Sequence, residues 1–137
     1  MKFNYQKVCQ DLISGLSPRQ KDIVAERFGL AGGERKTLEA VGEKFGITRE
    51  RVRQIQDGAL AEIKSKTGAY KAIFQNFKTY FQNAGNLRKE DTLLRELGLA
   101  KWPNQVYFLL SLDESFSRFG ANNDFYPLWA SGRSSLD

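Results

Sequence analysis

The chain has 137 residues, 41% of them apolar and 27% charged, which allows one domain or two very small ones with a modest core. Histidine is absent and Cys9 is the only cysteine. Cys/His zinc clusters, Cys/His nucleophilic pairs and intrachain disulfides are therefore excluded, and no catalytic residue, metal or cofactor is expected.

The net charge of +5 favours a polyanionic partner such as nucleic acid. The first element expected is a helix over about Asn4 to Ile13, with Val8, Leu12 and Ile13 inward and Cys9 as inert packing. Ser17-Pro18-Arg19-Gln20 marks a second helix start: Ser as cap, Pro at the first helical position, and Gln three residues on as a capping box. That helix buries Ile23, Val24 and Phe28 before Gly29 ends it. The loop Ala31-Gly32-Gly33-Glu34-Arg35-Lys36 lacks the spacing of a phosphate loop and follows a helix instead of a strand, so it reads as a flexible connector. A third helix runs from Leu38 to Phe45, capped by Thr37, with Leu38, Val41 and Phe45 facing the core. Gly46 supplies a tight turn, and Thr48 then caps a fourth helix.

The fourth helix opens on Thr48-Arg49-Glu50-Arg51-Val52-Arg53-Gln54, an inventory suited to reading base edges. Arg bonds guanine in bidentate fashion, Gln bonds adenine, and Glu accepts from the cytosine amino group. At about 100° per residue, Arg49, Arg53, Asp57, Glu50 and Gln54 fall within an arc of roughly 140°, while Val52, Ile55, Ala59 and Ile63 gather opposite. Such residues on an ordinary exposed helix form a solvated face held by i to i+4 pairs. Here the cap, the preceding Gly turn and the partner helix give them the setting of a helix-turn-helix, whose recognition helix probes bases with its N-terminal turns.

Taken in order and spacing, LSPRQKDIVAERFGL, TLEAVGEKFGI and TRERVRQI resemble region four of the housekeeping sigma-factor family. This is the domain of bacterial RNA polymerase sigma subunits that binds the promoter −35 element. The resemblance covers about Val8 to Lys64. It implies base and phosphate contacts at Arg49, Glu50, Arg51, Arg53 and Gln54, with Thr48, Thr37 and Lys36 completing the DNA-facing set. It also implies a docking surface for the flap of the polymerase beta subunit on the helices between about Val8 and Phe28. The chain departs from the family where a basic run normally continues: it has Gln56-Asp57-Gly58 and then Glu62. Gly58 costs a helix about 1 kcal/mol relative to Ala, and the two acids repel phosphates, so weaker backbone anchoring is expected. No segment resembles the sigma regions that melt and bind the −10 element, so this chain alone is not expected to open a promoter.

From Tyr70 aromatic residues become frequent, which suggests a second module. Tyr70, Ile73, Phe74, Phe77 and Phe81 follow helical spacing up to Gly85-Asn86. A helix over about Lys89 to Leu97 follows, using Leu93, Leu94 and Leu97 and stopping at Gly98, and Pro103 opens another through about Leu112, burying Val106, Leu109 and Leu110. Phe116-Ser117-Arg118-Phe119 and Phe125-Tyr126-Pro127-Leu128-Trp129 read as strands around a turn at 120–124, with Pro127 restricting the second to an edge. Three helices followed by a hairpin is the winged-helix order. The helix over Asn104 to Leu112 carries no positive charge, which points to a partner-binding or dimerising unit. Arg118 and Lys101 are the candidates if the module touches DNA.

The expected organisation is thus mainly α: a sigma region-four-like helix-turn-helix at 1–68, a winged-helix-like module with a short C-terminal β-hairpin at 69–130, and a flexible tail at 131–137 that reads as a cut linker. No apolar run reaches membrane-spanning length and MKFNYQKVCQD is too polar for a secretory signal, so a cytoplasmic protein is expected. The function expected is sequence-specific binding of double-stranded DNA in bacterial transcription, as a sigma-like initiation factor or regulator on a −35-like element with RNA polymerase core as partner. The alternatives are a stand-alone repressor or architectural binder without polymerase docking, and the DNA-targeting end of a longer enzyme.

Overall fold

The computed structural model describes residues 3–98, 101–120 and 127–132. The chain divides into two compact units, Met1–Gly68 and Ala69–Asp137.

The first unit holds four helices: α1 (Tyr5–Ile13), α2 (Pro18–Phe28), α3 (Leu38–Phe45) and α4 (Arg49–Lys64). Local chemistry fixes their ends. Asn4, Ser17, Thr37 and Thr48 each accept a hydrogen bond from the backbone N–H three residues on, which satisfies one of the donors left open in a first turn. At Ser17 the capping box is complete, because the Gln20 side chain accepts from the Ser17 N–H at 3.0 Å. Gly29 and Gly46 close α2 and α3 in the left-handed conformation, at φ 65° and 69°, where a Cβ is strained.

Helix α1 buries Tyr5, Cys9 and Leu12. The inward stripe is therefore rotated from the one expected, with Val8 and Ile13 only half-buried. The spacing i, i+4, i+7 is equally helical, and Tyr5 offers more apolar surface to cover than Val8 does. The connector after α2 is anchored at its far end: Lys36 N donates to the Arg27 carbonyl at 3.2 Å, and the Arg27 guanidinium to the Lys36 carbonyl at 2.6 Å. Helix α4 runs unbroken through Gly58, and a 3-10 turn follows at Thr67–Tyr70.

The second unit contains α5 (Lys71–Asn83), β1 (Leu87–Lys89), α6 (Glu90–Gly98), α7 (Pro103–Ser111), β2 (Phe116–Phe119) and β3 (Leu128–Ser131). Both outer strands pair antiparallel with β3, in the order β1-β3-β2. Helix, strand, two helices and two strands in this arrangement make a winged helix. Its core joins Ile73, Phe74, Phe77 and Phe81 of α5 to Leu93, Val106, Phe108, Leu109, Phe116 and Trp129. The Phe81 and Phe116 rings stack at 5.3 Å, and Phe77 meets Phe116 edge-on at 6.1 Å.

The C-terminal strand differs from the expected one in two respects. The last strand is central, not an edge, and it begins after Pro127 instead of running through it. Proline then costs no ladder N–H, and its carbonyl accepts from Glu90 N at 2.9 Å. Nor does the tail begin at Ser131, which pairs with Phe116 and donates to the Asn86 carbonyl at 3.0 Å. The expected strand start at Phe125-Tyr126, most of the turn, and residues 133–137 lie outside the described residues.

Candidate nucleic-acid interface

The helix-turn-helix is built on α2. Ile23 of α2, Val41 of α3 and Val52 of α4 are completely buried together, with Leu38, Phe45, Ile47 and Ile55 packed partly against them. Val52, Ala59 and Ile63 form the inward stripe of α4. The turn between α3 and α4 depends on two glycines. Gly46 takes the positive φ, and its N–H and that of Ile47 both reach the Gly42 carbonyl, the latter at 3.0 Å. A Cβ on Gly42 would stand 2.6 Å from the Ile47 carbonyl oxygen. Gly42 therefore sets how closely the turn folds back on α3. The sequence expectation rested on Gly46 alone; the available signal at Gly42 was a second glycine one turn ahead of the helix stop.

With the back of α4 buried, the opposite face is open. Arg49, Glu50, Arg51, Arg53, Gln54 and Asp57 are all exposed. Thr48 sits at the start of this face, and its hydroxyl accepts from Arg51 N at 3.0 Å, so it serves the helix end. Arg49 makes no ion pair or side-chain hydrogen bond among the described residues. Arg51 donates to the Gln54 amide oxygen at 3.3 Å. Arg53 is engaged by Glu50 through two of its nitrogens, one at 3.1 Å, and by Asp57 at 2.9 Å. Its hydrogen bonds to Arg53 hold the Glu50 carboxyl below the usual carboxylate range, and Arg53 is raised in return, chiefly by Glu50. The expected base readers thus share one surface, part of which is already paired within the helix.

The entry to α3 is arranged differently. Thr37 caps the helix, accepting from Ala40 N at 3.1 Å. The Lys36 ammonium is bonded to the Glu26 carboxylate, which also holds Lys44. Bonding to Lys36 first, then Lys44, depresses the Glu26 carboxyl. Glu26 was not singled out from the sequence, since its two partners lie 10 and 18 residues away. Farther along α4, Glu62 accepts from Gln20 at 3.4 Å.

In the second unit Arg118 is not a free cation. It donates to Glu90 at 2.7 Å, and the Trp129 indole N–H reaches the same carboxylate oxygen at 2.9 Å. Glu90 is 4% exposed. The Arg118 guanidinium also lies 5.4 Å over the Tyr107 ring. Helix α7 buries Gln105, Val106, Phe108, Leu109 and Leu110 and carries no basic residue, while Lys101 is exposed, 5.1 Å over the Trp102 ring.

The family model for sigma-70, region 4 matches residues 12–65, the segment that spans the end of α1 through α4. The N-terminal helical unit is similar to sigma-70 region 4. The chain is similar to RNA polymerase sigma factor SigA1 of Synechococcus elongatus, 46% identical over 55 residues, which are 40% of this chain and 14% of that protein. It is 48% identical over 54 residues to the principal sigma factor HrdD of Streptomyces coelicolor, 39% of this chain and 16% of that protein. With sigma factor sigB of Arabidopsis thaliana the identity is 43% over 60 residues, 42% and 10% of the two chains. The similarity thus spans a small part of each relative's length and coincides with the region 4 helices. No described helix is long and apolar enough to cross a membrane.

Proposed function

We propose that the chain binds double-stranded DNA sequence-specifically in transcription initiation, as a sigma-like factor or regulator of a −35-like promoter element. The observation that carries this reading is the exposed first two turns of α4, backed by a fully buried stripe within a region 4 match. In the proposed complex these turns enter the major groove. Arg49, Arg51 and Arg53 meet guanine or phosphate, and Glu50 and Gln54 discriminate among bases. Thr48, Thr37 and Lys36 lie at the helix entries, where backbone N–H groups face phosphates most readily.

RNA polymerase core is the proposed second partner, docking its beta-subunit flap on the surface between about Val8 and Phe28. The similarity of α2 to sigma factors supports this, since the matched segment begins at residue 12, near the end of α1, and takes in all of α2. For the second unit we favour a protein partner or self-association. Its α7 is uncharged and largely buried and its Arg118 is bound to Glu90, so neither α7 nor β2 offers phosphate an unpaired cation.

Binding selection on random duplexes, with and without core polymerase, tests the proposal. Enrichment of one −35-like hexamer, strengthened by the core enzyme, is expected. Recovery of unselected sequence in both arms would reject it.

A further inference from the structure

Arg53 is held from both sides by carboxylates of its own helix. Glu50, one turn before it, takes its Nε at 3.1 Å and its Nη2; Asp57, one turn after, accepts from Nη1 at 2.9 Å. The side chains of Arg53, Glu50 and Asp57 are 49%, 59% and 53% exposed, so this pairing, not packing, directs the guanidinium. Partners at i−3 and i+4 stretch it along the helix surface instead of outward. Glu50 belongs to the base-reading set, whereas Asp57 stands within the region 4 match where the chain departs from the family's basic run.

We propose that Asp57 is a positioning residue that restrains Arg53 and thereby weakens duplex binding by α4. The inference rests on the reading of α4 as the DNA-facing helix. When Arg53 turns to a phosphate it exchanges one anion for another and leaves the Asp57 carboxylate beside the DNA backbone. The exchange yields less than a phosphate contact made by an unpaired arginine, and a cation already neutralised within the helix contributes less to counterion release. Arg49, which has no such restraint, provides the internal comparison.

The test uses the 137-residue chain and a duplex recovered from selection, titrated over a range of salt. Asp57→Asn keeps the size of the side chain and removes its charge. Affinity is expected to rise roughly two- to fivefold for all sequences alike, with log K falling more steeply against log salt by up to about one unit. The decisive arm is the double variant: in an Arg53→Ala background, Asp57→Asn should give little or no gain. A gain of the same size without Arg53 would reduce Asp57 to a diffuse negative charge and overturn the restraint. So would no gain, or a loss, from Asp57→Asn in a chain whose binding is abolished by Arg49→Ala. If neither wild type nor Asp57→Asn binds any duplex, the reading of α4 itself fails and the inference falls with it.

Discussion

Gly42 and Ile47 meet backbone to backbone: the Ile47 N–H donates to the Gly42 carbonyl at 3.0 Å, and a Cβ on Gly42 would lie 2.6 Å from the Ile47 carbonyl oxygen. The contact fixes the turn that presents α4. Gly42→Ala gains helix propensity, about 1 kcal/mol, but forces backbone apart, which typically costs about 1–3 kcal/mol. A net loss of stability is expected, together with a loss of duplex affinity larger than the stability change explains. Thermal unfolding and duplex titration of the variant check both; unchanged values would mean that the turn tolerates a wider approach.

Glu50 is expected to specify. Glu50→Ala should lower preference for the selected base by on the order of tenfold while leaving affinity for unselected duplex equal to or above wild type, because the variant also releases Arg53. Sequencing of bound pools from a randomised duplex library provides the readout. Identical base preferences in both proteins would deny Glu50 that role.

The region 4 half was legible because its boundaries are written in local chemistry. Ser17-Pro18 with Gln20, Thr37, Thr48, Gly29 and Gly46 act within one turn of their own positions, and each stands in the structure where the residues implied. What was missed depends on distance. Strand β1 is three residues long, too short to show alternation, and without it β3 could only be read as a hairpin edge. Glu90 and Arg118 are 28 residues apart, so Arg118 read as a free cation. The helical period of α1 suits Val8, Leu12 and Ile13, the stripe expected, as well as Tyr5, Cys9 and Leu12, the stripe that is buried. On α4, the outward face was readable from periodicity, but the pairing of Arg53 with its neighbours is a rotamer choice that periodicity does not specify.

The winged helix is tied together at Glu90. Removing that carboxylate leaves the Arg118 guanidinium and the Trp129 indole N–H without their shared acceptor. Glu90→Ala should therefore cost about 2–3 kcal/mol, seen as a lower melting temperature. Because Trp129 is 2% exposed, a red shift of tryptophan emission should accompany melting at the lower temperature. A melting curve that overlays the wild type would show that the cluster contributes nothing net.

Glu26 gives the first unit a defined acid sensitivity. Bonding to Lys36 and Lys44 holds its carboxyl below the usual carboxylate range. A depressed carboxyl contributes stability that is fully present above the unfolded-state value and is lost as pH falls through the lower folded-state value. Glu26→Gln should therefore melt below wild type at neutral pH, and the gap should close as pH drops below about 4.5. A gap that persists or widens in acid would contradict the assignment.

Cys9 should be chemically silent. It is buried, and burial pushes its thiol up to about 12, so almost no thiolate exists at neutral pH. Iodoacetamide should modify it slowly in the folded chain and readily in denaturant. Rapid alkylation of the folded chain would mean that α1 opens on the timescale of the reaction.

Amide chemical-shift mapping with a selected oligonucleotide tests most directly whether the first two turns of α4 lie against the duplex. The largest perturbations should fall on Thr37 and on residues 48–54, with the α5 amides unchanged. Binding that leaves 48–54 unperturbed, or perturbs only the second unit, would contradict that placement.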